Sequence, residues 1–369
     1  MTEEQMILQV CRVFQLRGEY RSYETITYGH INTTYKVYFF RDGEIKDYIL
    51  QRVNTYVFRN PVEVMENTIA VTEYIRSKIK ETGVSAKRSV LHYQKTAAGE
   101  YYTIAEDGGF WRCCRFIDDS VTFLNAESAK VMEEAGKAFG EFQKYLADYP
   151  VEKLHIAIPH FHNTVMRYET FRKSVEADVC HRAAEVKPEI DQYFRLEELA
   201  TKMYKMQRRG ELPLRVTHND TKCSNILFDK DSLTHLSVID LDTVMPGLVA
   251  FDFGDAIRSG ANTGAEDERD IKKVSVDMVK YEAFTKGFVG SVRETLTQKE
   301  KESMALGALT MTVECGMRFL TDYLDGDKYF KIHYPDQYFV RARCHLALAD
   351  DMIGRMDDME EIVAKYCRD

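Results

Sequence analysis

Two short apolar runs in the middle of the chain, 214–217 and 236–239, each end in polar side chains. The polar residues are His218, Asp220 and Asn225 after the first run, and Asp240 and Asp242 after the second. An apolar strand that ends in carboxylates is a poor core element, because a buried carboxylate is costly unless it is paired or bound to a metal. The pattern instead favours rigid acidic groups held at the mouth of a cleft.

These residue types suit the transfer of a phosphoryl group. We predict that Asp220 orients an acceptor hydroxyl and takes its proton as the catalytic base. Asn225 and Asp240 are the predicted Mg²⁺ ligands, because Mg²⁺ prefers oxygen donors and is usually held by carboxylates together with substrate phosphates. If the strand continues, Asp242 shares a face with Asp240 and could serve a second ion. The alternatives are a turn aspartate that caps backbone amides at 220 and structural strand-end acids at 240 and 242.

The order of these residues resembles the catalytic loop of kinases, in which H-x-D-x4-N is followed by a metal-binding aspartate. The chain carries the longer motifs H-N-D-T-K-x-x-N-I-L, I-D-L-D-T-V-M-P-G and F-D-F-G-D, together with G-H-I-N-T-T-Y at 29–35, Y-I-L-Q at 48–51 and E-C-G-M-R-F-L at 314–320. With these motifs the chain resembles the aminoglycoside phosphotransferase superfamily and, within it, the N-acetylhexosamine 1-kinases. The resemblance covers most of the chain.

The resemblance implies an enzyme that uses ATP and Mg²⁺ to phosphorylate an N-acetylhexosamine (N-acetylglucosamine or N-acetylgalactosamine) at its anomeric hydroxyl. A second interpretation keeps the superfamily but changes the acceptor to an aminoglycoside, choline or homoserine-type hydroxyl; a cationic acceptor of this kind calls for an acidic pocket. A third interpretation is a nucleotide-binding pseudokinase used for interaction. The presence of Asp220, Asn225 and Asp240 disfavours that third interpretation.

The sequence D-F-G at 252–254 does not identify Asp252 as the metal ligand in this interpretation. In the superfamily that the chain resembles, the aspartate of the I-D motif, here Asp240, is the metal ligand. The aspartate of the later F-D motif, here Asp252, supports the catalytic loop through hydrogen bonds. His218 opens that loop, and we predict that its imidazole tethers the loop backbone while Asp220 remains the base.

Segment 28–35, between two predicted strands, is the predicted nucleotide loop. Backbone N–H groups of such a turn can cradle phosphates. Gly29 alone is a weak phosphate-loop motif, and a simple hairpin turn is the alternative. The family resemblance favours phosphate binding, with Asn32, Thr33 and Thr34 as side-chain donors and with Gln51 of a following strand in the same site.

Gln51 stands where kinases place a lysine that holds the nucleotide phosphates. The 1-kinases that the chain resembles also read I-L-Q, so this departure does not by itself indicate an inactive protein, but it leaves the phosphate cation unassigned. The adjacent Arg52 points to the opposite face of the strand. Segment 111–117 occupies the place of the kinase hinge, whose backbone would bind adenine.

A charged stripe on an otherwise apolar helix is the predicted sugar site. Glu314 and Arg318 stand at i and i+4, and Asp322 extends the same helical face. From the residues alone, a structural ion pair is an equal alternative, because desolvation offsets much of the attraction in a buried pair. The resemblance implies that Arg318 binds the sugar, that Glu314 orients it, and that Tyr329 and His30 reach the same sugar.

The order of predicted elements is that of a kinase-like chain. The predicted N-terminal elements are helix 3–16, strands 20–28, 33–40 and 47–53, helix 61–80, and strands 89–93, 100–105 and 110–117. Helical spacing recurs near 131–146, 164–186, 189–208, 271–289, 297–323 and 337–366. We predict an α+β, protein-kinase-like two-lobe fold, with a β-rich nucleotide-binding lobe at 1–117 and a mainly helical catalytic and substrate-binding lobe at 118–369.

The net charge of −9 over 369 residues argues against a nucleic-acid or anionic-membrane surface. No apolar run approaches the length of a membrane span. The first residues lack the features of a signal peptide, and the scattered cysteines form no C-x-x-C pair, so we expect reduced thiols and a cytoplasmic location. His155, His160 and His162 are spaced too loosely for a zinc site. The expected partners are ATP and a small-molecule sugar, with a monomeric or weakly oligomeric state.

Overall fold

The computed structural model describes residues 2–27, 31–329 and 332–368. They form the predicted kinase-like fold, with a β-rich N-terminal lobe and a mainly helical C-terminal lobe. Helices and strands are numbered below in chain order.

An antiparallel sheet forms the N-terminal lobe. Its strands are β1 (Glu19–Ile26), β2 (Thr33–Arg41), β3 (Glu44–Val53), β4 (Tyr102–Ile104) and β5 (Phe110–Arg115). Within the described residues the sheet has five strands in the order β1-β2-β3-β5-β4. Between β2 and β3, Asp42 and Gly43 have φ angles of 54° and 83°, as a tight hairpin turn requires. This turn fixes the register that places Gln51 opposite Thr34.

Two helices cover opposite faces of this sheet. Helix α1 (Glu3–Val13) begins with a capping box and packs over a core that includes Leu50 and Trp111. Helix α2 (Pro61–Glu81) begins with proline and packs over a second core that includes Val53 and also Leu241 of the C-terminal lobe. Because side chains alternate along a strand, Leu50 faces α1 whereas Gln51 faces the C-terminal lobe.

A buried asparagine on α2 joins the two lobes. Asn67 Nδ2 donates to His155 O at 2.8 Å and to Val244 O at 3.0 Å. The Oδ1 atom of the same side chain accepts the backbone N–H of His155 at 2.8 Å. The helix is therefore fastened to the main chain of the C-terminal lobe.

The C-terminal lobe combines short strands with long helices. The strands are β6 (Ser120–Val121), β7 (Arg215–Thr217), β8 (Ile226–Asp229), β9 (His235–Val238) and β10 (Met245–Gly247). The helices are α3 (Ala129–Tyr145), α4 (Thr164–Ala177), α5 (Lys187–Arg208), α6 (Val249–Gly260), α7 (Met278–Val292), α8 (Gln298–Glu302), α9 (Met304–Asp325), α10 (Gln337–Gly354) and α11 (Met356–Arg368). No helix in the described ranges is long and apolar enough to cross a membrane.

Helices α6 and α9 approach each other closely. A β-carbon on Gly254 would lie 2.3 Å from Gly307 O, and a β-carbon on Gly307 would lie 2.1 Å from Ala250 O. Only glycine permits this separation of the two backbones. Since Asp252 lies on α6 and Glu314 on α9, the contact fixes the two sides of the candidate site relative to each other.

Some predicted elements differ from the structure. The predicted strand 89–93 is wrong, since Tyr93 forms only an isolated bridge to Cys114. Predicted helix 297–323 is divided at Ser303, which ends α8 and precedes α9, and predicted helix 337–366 is divided at Arg355. Helix α6 was not predicted; nearly all of its residues are buried, including the polar side chains of Asp252, Asp255 and Arg258.

Candidate active site

The loop after β7 presents Asp220. Asn225 Nδ2 donates to Asp220 O at 2.8 Å and to Asp220 Oδ2 at 3.0 Å. Lys222 Nζ lies 3.0 Å from Asp220 Oδ1. The Asp220 side chain is half-buried, so two neighbours hold its carboxylate while it stays open to a substrate. This arrangement suits a carboxylate that accepts a proton from a hydroxyl.

His218 is fully buried, and both of its ring nitrogens are engaged. Nε2 donates to Ile239 O at 2.9 Å, and Nδ1 accepts the backbone N–H of Asp220 at 3.2 Å. The rings of Phe139 and Phe142 pack edge-on against the imidazole. His218 therefore ties the catalytic loop to the end of the β9 segment and has no ring nitrogen left to act as a base.

Asp252 on α6 lies behind the same loop. Its Oδ2 accepts the backbone N–H of His218 at 2.8 Å and the Nε2 group of Gln143 at 2.6 Å, and its Oδ1 accepts the backbone N–H of Asn219 at 2.8 Å. Burial raises the pKa of Asp252, although these donors and His218 act in the opposite direction. The carboxylate is thus directed at the loop backbone and away from a position at which it could bind a metal.

Asp240 has a left-handed backbone conformation, with φ 60° and ψ 57°, and the turn Leu241–Thr243 follows it. The prediction that Asp240 and Asp242 share one strand face is therefore wrong, because the strand ends before Asp240. Within the described part of the chain, the Asp240 carboxylate makes no hydrogen bond or ion pair. Its side chain reaches solvent, but burial by the surrounding protein, with the charges of Asp242 and Asp220, raises its pKa to about 6. A divalent cation would relieve this repulsion.

Asp242 connects the acidic cluster to the N-terminal sheet. Its Oδ2 accepts Asn32 Nδ2 at 2.7 Å, and its Oδ1 pairs with Arg112. Arg112 Nε donates to Gln51 Oε1 at 3.0 Å, and Gln51 Nε2 donates to Thr34 Oγ1 at 3.1 Å. Both oxygens of Asp242 are thus engaged by the N-terminal lobe, and three of the predicted nucleotide residues belong to one network.

Of the remaining predicted nucleotide residues, the structure describes Thr33. Thr33 is exposed at the start of β2. Gly29, and His30 of the predicted sugar site, lie outside the described residues. Arg52 faces away from Gln51 and pairs with Asp107 at 2.8 Å, so it does not replace the missing lysine of β3.

Glu314 is fully buried on α9 and holds two residues of the neighbouring segment. Its Oε1 lies 2.8 Å from His162 Nδ1, and its Oε2 accepts the Thr164 hydroxyl at 2.6 Å. His162 Nε2 lies 3.5 Å from Asn219 O, beside the catalytic loop. Glu314 therefore positions His162, a contact that the sequence did not suggest.

The other predicted sugar residues lie on α9 and directly after it. The Arg318 guanidinium lies 5.5 Å from the centre of the Phe161 ring. Tyr329 is 66% exposed, and its backbone N–H donates to Asp322 Oδ1 at 2.9 Å. Asp322 Oδ1 also accepts the N–H of Lys328 at 3.0 Å, so this carboxylate anchors the segment that carries Tyr329.

Three residues of this site were not among the predicted site residues. Lys222 lies inside the H-N-D-T-K motif, and its charge next to Asp220 was a signal that could have been used. Arg112 lies on a strand that reads as core, and its partner Asp242 is 130 residues away. His162 was assigned to packing and turn hydrogen bonds once a zinc site was rejected, and its partner Glu314 is 152 residues away.

A second cluster lies between α9, α10 and the segment that follows α6. Ligand atoms of Glu266, Cys315 and His345 lie within 4.8 Å of one another. Arg258 Nη1, however, lies 3.0 Å from Glu266 Oε1 and 3.3 Å from His345 Nε2. The guanidinium already neutralises this carboxylate, and a metal ion would have to displace it, so these residues do not form a second metal site.

The fold and the aspartate loop define a kinase-like phosphotransferase. Residues 25–275 match the phosphotransferase enzyme family, APH, and the chain belongs to this family. It is a small-molecule phosphotransferase of that superfamily.

Solved structures of other phosphotransferases have similar folds. A microcompartment-associated aminopropanol kinase has a TM-score of 0.66 and 12% identity, with 97% of this chain and 99% of that chain covered. An aminoglycoside phosphotransferase from Alicyclobacillus acidocaldarius has a TM-score of 0.60 and 10% identity, with 97% and 96% covered. A choline kinase from Cryptosporidium parvum has a TM-score of 0.58 and 13% identity, with 100% of both chains covered. At these identities the similarity establishes the fold.

Proposed function

We propose that the protein is a kinase that uses ATP and Mg²⁺ to phosphorylate the anomeric hydroxyl of an N-acetylhexosamine, giving the sugar 1-phosphate. The observation that carries the kinase part is the half-buried Asp220 carboxylate, which Asn225 and Lys222 hold close to Asp240. The Asp240 carboxylate has no hydrogen-bond or ion-pair partner among the residues that the structure describes. The sugar part is supported by the motifs at 29–35 and 314–320, which resemble those of N-acetylhexosamine 1-kinases. A spectinomycin phosphotransferase of similar fold was solved with ADP, which supports an adenine nucleotide as donor.

Asp220 accepts the proton of the anomeric hydroxyl and orients its oxygen for attack. Asn225 fixes this carboxylate with Nδ2, which leaves the Oδ1 atom of the same amide for a metal ion. The Lys222 ammonium lies against Asp220, where it can offset the negative charge of a phosphoryl group in transfer. Bound Mg²⁺ would neutralise phosphate charge. Asp240 and Asn225 would hold it, with Asp242 beside them, because their oxygen donors suit this ion.

The acceptor side of the site is assigned to α9 and the segment that follows it. Arg318 binds the sugar, since the acetamido and hydroxyl oxygens of the sugar accept hydrogen bonds from a guanidinium. Tyr329, whose backbone is anchored by Asp322, contacts the ring or the acetamido group. Glu314 supports this side through His162. His30 reaches the same sugar from the N-terminal lobe.

A pair of arginines favours a neutral sugar over a cationic acceptor. Arg167 Nη2 donates to Phe161 O at 2.8 Å, and the ring of Phe161 lies under Arg318. Burial and the charge of Arg318 lower the pKa of Arg167, so the two cations interact. The ammonium group of choline or of an aminoglycoside would be repelled beside them. Aminoglycoside, choline and homoserine-type acceptors are therefore the second candidates.

A nucleotide-binding pseudokinase is the third candidate, and Gln51 is the feature that favours it. The arrangement of Asp220, Asn225 and Asp240 weighs against it. We further propose that residues 1–117 form the nucleotide-binding lobe and residues 118–369 the catalytic and substrate-binding lobe.

An ADP-release assay over a panel of sugars, amines and amino alcohols tests the function. We expect turnover with N-acetylglucosamine or N-acetylgalactosamine, and phosphorus NMR of the product should show a phosphate on the anomeric carbon. Preferential turnover of choline or an aminoglycoside, weakened by added salt, would favour the second candidate. Mg·ADP binding without turnover of any acceptor would favour the pseudokinase.

A further inference from the structure

The residue across the sheet from Gln51 carries a cation. Gln51 occupies the β3 position at which kinases place a phosphate-binding lysine. Gln51 and Arg112 are register partners on β3 and β5, and Arg112 Nε donates to Gln51 Oε1 at 3.0 Å. Directly opposite residues on neighbouring strands point to the same face of a sheet. Arg112 therefore reaches the face on which the lysine would act.

The Arg112 guanidinium also contacts the acidic cluster. It pairs with Asp242, and each of the two side chains is 2% exposed. A buried ion pair is weak evidence for a stabilising role, because the loss of hydration offsets the attraction. A buried arginine beside the candidate metal ligands therefore suits a role in binding charge better than a role in stability.

One terminal nitrogen of the Arg112 guanidinium, Nη2, is available to a ligand. Nε donates to Gln51 and Nη1 to Asp242, whereas Nη2 has no hydrogen-bond partner among residues 2–27, 31–329 and 332–368. The second oxygen of Asp242 is held by Asn32 of the predicted nucleotide loop. The guanidinium therefore lies where β3, the acidic cluster and the nucleotide loop meet.

We propose that Arg112 binds the β-phosphate of the nucleotide through Nη2, in place of the β3 lysine, and that Gln51 positions the Arg112 guanidinium. This inference rests on the proposed kinase function. The planar fork of arginine can hold a carboxylate with one nitrogen and a phosphate oxygen with another. A lysine at position 51 would place a second cation about 3 Å from the guanidinium, where like charges repel. The neutral amide of Gln51 instead accepts a hydrogen bond from Arg112, so a glutamine on β3 is compatible with an arginine on β5.

Calorimetric titrations of the full chain with Mg·ADP and with AMP, without sugar, test this proposal. Arg112→Gln is expected to weaken ADP binding roughly 10- to 100-fold, the scale of one charged hydrogen bond. AMP binding should fall much less, because AMP lacks the β-phosphate. Arg52→Gln is the matched control, since Arg52 lies on β3 but faces Asp107, and ADP binding should not change. Unchanged ADP binding in Arg112→Gln, or equal losses for ADP and AMP, would overturn the proposal.

A charge-relocation variant covers the case in which Arg112→Gln fails to fold because Asp242 loses its partner. The double variant Gln51→Lys with Arg112→Gln returns one cation to β3 and keeps a cation near Asp242. Its ADP affinity is expected to return to within about tenfold of the wild type. A folded double variant whose ADP affinity stays more than about tenfold below that of the wild type would contradict the proposal. If the wild-type chain binds no Mg·ADP, the proposed kinase function fails. If the wild-type chain binds Mg·ADP and Arg112→Gln binds it equally well, only the proposed role of Arg112 fails.

Discussion

Asn225 donates through one nitrogen to both the backbone carbonyl and the carboxylate of Asp220, at 2.8 and 3.0 Å. A single side chain thus fixes the main chain and the side-chain orientation of the candidate base. Because Asn225 holds Asp220 in place, a substitution of Asp220 should affect mainly the chemical step. Turnover can therefore be separated from folding and binding by substitutions in this site.

Asp220→Asn is expected to lower turnover roughly 10²–10⁴-fold, the scale of a positioned acid–base group. Because asparagine has nearly the same shape, Mg·ADP affinity and melting temperature should change little. Steady-state ADP release, calorimetry and thermal melts check this, with the exposed Asp231→Asn as control. Near-normal turnover in Asp220→Asn would remove this residue from the chemistry.

Asp240→Asn is expected to raise the melting temperature in magnesium-free buffer at pH 8 and to have a smaller effect at pH 5. The pKa of Asp240 is raised from 3.8 to about 6 in the folded chain. Between those values the folded state binds more protons than the unfolded state, so stability falls as pH rises through the window. Asparagine imitates the neutral acid and escapes this loss. An equal gain at both pH values would show that the charge of Asp240 is not the cause.

Asp252→Asn is expected to destabilise the fold by about 1–3 kcal/mol, because an amide nitrogen would face backbone donors that the carboxylate now satisfies. Its turnover should fall without a large change in the magnesium requirement. Asp240→Ala should instead raise the magnesium requirement strongly. A magnesium titration of both variants checks this, and a reversed order would mean that Asp252 is the metal ligand.

Arg318→Ala is expected to raise the sugar KM by at least about tenfold, or to abolish turnover, while ATP affinity and melting temperature stay near those of the wild type. The reason is the loss of a charged donor on the acceptor side of the site. Arg172→Ala removes an arginine of α4 that pairs with Glu197 and serves as the matched control. A variant that unfolds, with normal sugar affinity in the folded fraction, would place Arg318 in the core.

Local patterns were sufficient to predict much of the architecture. The helix expected at 61–80 forms at Pro61–Glu81, where proline provides the first turn. The strands expected at 33–40 and 47–53 form at Thr33–Arg41 and Glu44–Val53, because their apolar residues alternate. The candidate aspartates could be proposed because they end apolar runs and match a motif.

Long-range pairs and backbone conformation could not be predicted in this way. The partners Arg112 and Asp242, and His162 and Glu314, are far apart in the chain, and neither pair has a local signature. The left-handed conformation of Asp240 ends the strand that the pattern would continue. These features depend on packing between lobes and between helices, which periodicity does not encode.

The attachment of α2 to the C-terminal lobe bears on how activity is controlled. In protein kinases, a glutamate on an N-terminal-lobe helix pairs with the β3 lysine, and movement of that helix switches catalysis on and off. Here the neutral Asn67 amide bonds the main chain at His155 and Val244, and ion pairs of Glu66 with His155 and of Lys78 with Asp148 fasten α2 further to the C-terminal lobe. We therefore expect a constitutively assembled enzyme, whose metabolic flux follows the supply of its substrates.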